Sequence, residues 1–113
     1  IVPHCGNPHS GAWNPGKELV DIGGSDTYKA PGDYQPLIDQ FKDTQKTFPG
    51  LPIALHENGP IPDPDQLQST GAKWIMFNTW SDHFNPPNNS EDHTKKVYNH
   101  DYVITLDELP SFQ

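Results

Sequence analysis

Glu57 is the carboxylate in this sequence best placed to do chemistry. It follows the apolar run Leu51-Pro52-Ile53-Ala54-Leu55, and Gly59-Pro60 behind it favours a fixed turn that aims the side chain. A carboxylate at the mouth of an apolar strand is held in a partly desolvated, preorganised position, which suits a nucleophile or a general acid/base. An ion-paired loop carboxylate is the other use of the same residue. Asp26 and Tyr28 stand two positions apart, so on an extended segment both point to one side. From there the Tyr28 hydroxyl could bond Glu57 across a sheet, orienting and tuning it; the alternative is an Asp turn residue beside a core Tyr. Trp13 and Trp80 carry flat apolar faces of the kind that receive amphipathic ligands such as sugar rings. Packing is the alternative for both, more so for Trp13, and Trp74 reads as core.

Other site chemistries find less support. The histidines are His4, His9, His56, His83, His93 and His100, and no two have the spacing of a zinc helix or finger, so no metal is expected. His56 would point away from Glu57 if the strand continued, supporting the site from behind. No Gly-x-Ser-x-Gly turn occurs, so a serine nucleophile with a His-Asp relay is not supported. Cys5 is the single cysteine and cannot form an internal disulfide. Asn88-Asn89-Ser90 is a glycosylation sequon, which matters in a secreted protein.

The elements that must position these residues follow from the apolar pattern. Residues 1–17 are turn chemistry without a hydrophobic period and read as loop. Leu19-Val20-Asp21-Ile22-Gly23 reads as a buried strand, with Asp26 and Tyr28 after its end. Asp33 is a plausible N-cap, Pro36 falls in the first turn, and Tyr34, Leu37, Ile38, Phe41 and Phe48 mark one face of a helix that Pro49-Gly50 stops. Leu51–Leu55 is a second strand, 60–65 a loop, 66–71 a brief helical turn, and Trp74–Phe77 a third strand closing with Asn78, Thr79 and Trp80. Residues 81–90 read as loop and Glu91–Tyr98 as a short helix, while Tyr102–Leu106 reads as strand, extended tail or helix start. Strand, helix, strand, loop, strand, helix is the order of βα units on a parallel sheet. In such sheets functional groups gather beyond the C-terminal strand ends, where Asp26, Tyr28, Glu57, Asn58, Asn78 and Trp80 all fall.

Bulk properties bound the function. The 113 residues suit one structural unit, and 32% hydrophobic residues with 13 prolines imply a small core among many loops. Three Trp, four Tyr and five Phe are more than a disordered polar segment carries. A net charge of −8, with no basic run longer than Lys95-Lys96, gives no footprint for nucleic acid and no attraction to an anionic membrane. It leaves an uncharged ligand such as a neutral polysaccharide unhindered. No stretch approaches the ~20 apolar residues of a membrane span, and the start Ile1-Val2-Pro3-His4 lacks the layout of a signal peptide.

Taken in order, Trp13-Asn14-Pro15-Gly16, Val20-Asp21-Ile22-Gly23-Gly24-Ser25-Asp26-Thr27-Tyr28, Leu51 to Gly59, Trp74 to Trp80 and Val103 to Pro110 resemble glycoside hydrolase family 26, best known for endo-β-1,4-mannanases. The resemblance covers nearly the whole chain but only the last third or so of the family's catalytic domain. It implies an α/β fold, the portion of a (β/α)8 TIM barrel around strands 6–8, with residues 1–113 forming the C-terminal part of that domain. It further implies retaining hydrolysis of mannan or galactomannan with Glu57 as nucleophile, Tyr28 holding it, Asp26 supporting a substrate hydroxyl or a neighbouring side chain, and Trp80 stacking on a sugar. Trp13 and His56 complete the candidate set. No cofactor is implied. The family's acid/base Glu lies on the fourth strand, outside this chain, so the remainder of the barrel is the expected partner and the chain alone is expected to be inactive. His56 stands where relatives commonly carry a small residue, which leaves a β-1,3-xylan or mixed-linkage glucan substrate open. A non-catalytic sugar-binding or structural piece is the reading from another class. A secreted, extracellular setting is expected.

Overall fold

The computed structural model describes residues 2–4 and 10–111. Four parallel strands lie in sequence order, β1 (Val2–His4), β2 (Gly23–Thr27), β3 (Ile53–Asn58) and β4 (Phe77–Thr79). Three α-helices, α1 (Ile38–Thr47), α2 (Pro64–Thr70) and α3 (Glu91–Tyr98), follow β2, β3 and β4 respectively. Parallel neighbours need crossover connections, and α1 and α2 supply those from β2 to β3 and from β3 to β4. The sheet has one strand more than the sequence pattern indicates, because Val2–His4, read as loop, pairs with Gly23–Ser25. Three residues are too few to show a period.

β2, β3 and β4 are each displaced toward the C-terminus relative to the apolar run that announces them. Val20 is buried in the core but the strand begins only at Gly23, so Asp26 lies within β2 rather than beyond it. Gly23 is required by close packing, since a Cβ there would stand 2.6 Å from the Phe48 ring. β3 carries His56, Glu57 and Asn58 inside the strand instead of after it. β4 starts at Phe77, although Leu55 N–H already bonds the Met76 carbonyl and Ile75 N–H the Ile53 carbonyl. In each case cross-strand hydrogen bonds, which ignore side-chain polarity, carry pairing past the last apolar residue.

α1 buries Phe41 and Thr44, with Ile38 part-buried and Phe48 at its C-cap, against Val20, Ile53, Leu67 and Ala72. Burying each large apolar side chain in this cluster is worth roughly 1.5–3 kcal/mol. The helix starts at Ile38, later than Asp33 suggests, because Pro36 excludes Gln35 from helical backbone. Leu37, the N-cap, takes φ 57°, a left-handed conformation costly for leucine; its burial and the Trp74 Nε1–H bond to the Pro36 carbonyl at 3.1 Å hold it there. Tyr34 is thereby freed from the helix and stacks on His93 at 3.4 Å between centroids. α2 is longer than the brief turn expected: Asp63 caps it by accepting from the amides of Asp65 and Gln66, and Pro64 enters the first turn. α3 spans the expected Glu91–Tyr98, capped by Ser90. Residues 102–106 form no strand; Thr105 and Glu108 make a capping box that opens a short 3-10 turn at Leu106–Glu108, the helix-start alternative.

Candidate functional site

The two faces of the sheet are assigned by contacts. Gly23 abuts Phe48, the Ser25 and Thr27 hydroxyls bond each other at 2.8 Å, and Ile53 packs in the core with α1. Gly23, Ser25 and Thr27 therefore face the helices, as does Ile53. Alternation sends Gly24, Asp26 and the following Tyr28 to the opposite face, as the spacing of the last two requires; it is covered at Gly24 and opens toward its C-terminal end, where Asp26 is part-buried and Tyr28 exposed.

Strict alternation would place Glu57 with Ile53 and Leu55, buried under the helices. It does not, because β3 carries an extra residue: Ser25 pairs with Leu55 while the next residue, Asp26, pairs with Glu57. Paired residues on adjacent strands point to the same side, so the irregularity transfers Glu57 to the open face beside Asp26. Such a bulge re-aims a side chain at the cost of one unpaired residue. On β4, Leu55 pairs with Phe77 and Asn58 with Thr79, which repeats the shift. His56 is the unpaired residue, so the alternation from which a backing role was expected is interrupted at that point. Its Nδ1 is buried with no hydrogen-bond partner among the described residues.

The consequence is a cluster at the C-terminal ends of β2, β3 and β4. Tyr28 donates its hydroxyl proton to Glu57 Oε1 at 2.6 Å, a short charge-assisted bond. Burial of the phenol, then the Glu57 hydrogen bond and charge, then the Asp26 charge raise the Tyr28 pKa well above the usual phenol value. The hydroxyl thus stays a donor at any physiological pH. Trp80 follows β4, its N–H bonded to the Asn58 carbonyl at 2.9 Å, and is 49% exposed, leaving an indole surface open to a ligand. Asn58 turns the other way and is fully buried, donating from Nδ2 to the carbonyls of Gly59 and Pro60 and to Thr79 Oγ1. It fixes the turn behind Glu57.

Trp13 lies in a 3-10 turn at Ser10–Trp13, and its side chain is outside the described structure, as is Cys5. Among the described residues no group of three or more His, Cys, Asp or Glu side chains could hold a metal ion.

Two residues of the cluster escape the sequence reading. His83, three positions after Trp80, stands edge-on to Tyr28 with ring centroids 5.0 Å apart at 77°. Asn89, visible in the sequence only as the middle of a sequon, is fully buried; it accepts from Ile61 N–H at 2.8 Å and donates to the carbonyls of His83 (2.8 Å) and Gly59 (3.3 Å). Both act through contacts distant in sequence, and neither belongs to an apolar period. On the far side Lys96 of α3 bridges Asp63 (2.6 Å) and Asp65 (2.7 Å), tying α3 to the start of α2.

Comparison with known proteins follows the same lines. The family model of glycosyl hydrolase family 26 matches residues 3–108. A mannan endo-1,4-beta-mannosidase of Thermothelomyces thermophilus is 41% identical over 115 residues, covering 95% of this chain and 22% of that protein. Among solved structures, a Podospora anserina GH26-CBM35 beta-(1,4)-mannanase superposes with a TM-score of 0.78 at 37% identity, covering 85% of this chain and 22% of the other. A beta-mannanase from a symbiotic protist of the termite Reticulitermes speratus, complexed with gluco-manno-oligosaccharide, gives a TM-score of 0.79 at 31% identity, covering 93% and 32%. The chain thus spans about a fifth to a third of the length of these relatives.

Proposed function

Because this chain belongs to glycosyl hydrolase family 26, we propose that it is the nucleophile-bearing C-terminal portion of a retaining endo-β-1,4-mannanase. In this reading β2, β3 and β4 fill positions six to eight of a (β/α)8 barrel and β1 the position before them, so the open face carrying Glu57 becomes the barrel interior. The observation that carries the reading is the 2.6 Å bond between Tyr28 and Glu57 beside an exposed Trp80 at the C-terminal strand ends, where barrels of this class hold their active sites.

Glu57 attacks the anomeric carbon of a mannosyl residue, forming a glycosyl-enzyme ester as the glycosidic bond breaks. A carboxylic acid from the remaining strands protonates the departing oxygen, then takes a proton from the water that cleaves the ester. Retention needs the two carboxyls about 5–5.5 Å apart, across the cleft that Glu57 faces. Tyr28 holds the Glu57 carboxylate during attack, Asp26 supports a substrate hydroxyl or a neighbouring side chain, and Trp80 stacks on a sugar ring. The polymeric, uncharged substrate suits the acidic surface and a secreted, extracellular setting.

The test joins residues 1–113 to the preceding strands of the Thermothelomyces relative, giving a completed barrel, and measures reducing-sugar release. The completed barrel is expected to cleave mannan or galactomannan and the isolated chain neither. Preferential cleavage of β-1,3-xylan or mixed-linkage glucan would replace the mannan assignment. Oligosaccharide binding without turnover, unchanged in Glu57→Ala, would replace catalysis with sugar binding.

A further inference from the structure

We propose that His83 is a positioning residue that sets the Tyr28 ring, and through its hydroxyl the Glu57 carboxylate. The inference rests on the reading of Glu57 as nucleophile and adds a residue to it. His83 closes the 3-10 turn Ser81–His83, its N–H bonded to the Trp80 carbonyl at 2.9 Å and its carbonyl held by buried Asn89 at 2.8 Å. The backbone beneath the imidazole is therefore fixed from both sides. The ring meets Tyr28 edge-on at 5.0 Å, a favoured aromatic geometry. Gly59 lets it approach: a Cβ there would lie 3.0 Å from His83 Nδ1 and 3.2 Å from Tyr28 Cδ1. His83 Nδ1 is buried with no hydrogen-bond partner among the described residues. A buried polar atom without a partner is a cost that an apolar side chain would avoid. What the imidazole supplies in return is a ring packed near-perpendicular against Tyr28, which is itself 42% exposed.

The experiment is a double-mutant cycle in the completed barrel. His83→Ala is expected to lower kcat on mannan by about threefold to tenfold, no more than loss of the Tyr28 hydroxyl itself, while KM moves less than about threefold, since stacking at Trp80 is retained. In a Tyr28→Phe background the same substitution should lower kcat less than about twofold, because the hydroxyl it positions is gone. Equal losses in both backgrounds, or a change confined to KM, would overturn the proposal. Should His83→Ala fail to fold, His83→Phe serves instead; it keeps a ring against Tyr28 and should hold kcat within about threefold of wild type, whereas a loss as large as that of Tyr28→Phe would sink the idea. A Glu57→Gln variant run alongside separates the two readings. If it is active, the nucleophile assignment fails; if it is inactive while His83→Ala is unaffected, only the positioning role fails.

Discussion

Replacing Tyr28 by Phe in the completed barrel removes one hydroxyl and little else. The bond it deletes is 2.6 Å long and ends on Glu57 Oε1. A hydrogen bond to a charged group is worth roughly 1.5–3 kcal/mol. Tyr28 is 42% exposed, so water fills part of the gap and the lower end applies. About 1.5 kcal/mol corresponds to roughly a tenfold fall in kcat/KM. The Phe ring keeps the edge contact with His83, so the variant should stay folded under the assay conditions, with a stability loss no larger than the bond itself. The assay is initial-rate hydrolysis of a soluble mannan across substrate concentrations, with urea unfolding on the same preparations. A pH profile adds an independent check. Because the folded phenol pKa is raised, the protonated form is favoured by folding; its contribution is complete below the ordinary value of about 10 and is lost only as pH rises through the higher folded value. Wild-type activity should therefore show no loss from Tyr28 ionisation near pH 10. Wild-type kcat/KM in Tyr28→Phe, or a loss matched by lost stability, would refute the assignment of Tyr28 as the residue that holds Glu57.

Three further perturbations probe the scaffold, each in the completed barrel. Asn89→Ala strips the partners from Ile61 N–H and the His83 carbonyl, while the Gly59 carbonyl keeps its bond from Asn58, and should cost roughly 2–6 kcal/mol in urea unfolding, at about 1–3 kcal/mol per orphaned group. A cost under 0.5 kcal/mol would mean that water reaches these groups. Gly23→Ala drives a Cβ to 2.6 Å from the Phe48 ring, and overpacking of this kind should destabilise by about 1–3 kcal/mol; an unchanged melting temperature would show that β2 and α1 separate freely. At Asp63, burial alone would raise the pKa, but the Lys96 hydrogen bond and charge and the amides of Gln66 and Asp65 outweigh it and hold it low. Its contribution is thus present above the ordinary value of about 3.9 and lost as pH falls through the lower folded value. Asp63→Asn keeps the cap, so its stability deficit at neutral pH should shrink on acidification; a pH-independent deficit would contradict the ion pair.

Much of this architecture can be read from residue order. Ser90 followed by Glu91–Tyr98 carries its own cap and its own period, and the helix forms where that pattern places it. Asp26 and Tyr28 share a face because spacing alone requires it. What cannot be read is decided by partners distant in the chain. β1 is too short to show alternation, and its pairing depends on Gly23–Ser25. Glu57 stands out as a carboxylate after an apolar run, yet the register irregularity that brings it to the open face is visible only once β2 and β3 are paired. The same holds for His83, whose contact with Tyr28 joins residues on different strands' loops.

The most direct test is to trap the intermediate. The completed barrel is incubated with an activated 2-deoxy-2-fluoro mannosyl oligosaccharide, whose glycosyl-enzyme hydrolyses slowly, then digested and its peptides weighed. One added glycosyl mass is expected, on the peptide containing Glu57, and none in Glu57→Gln. A label on another carboxylate, or full turnover with no label in an active barrel, would contradict it.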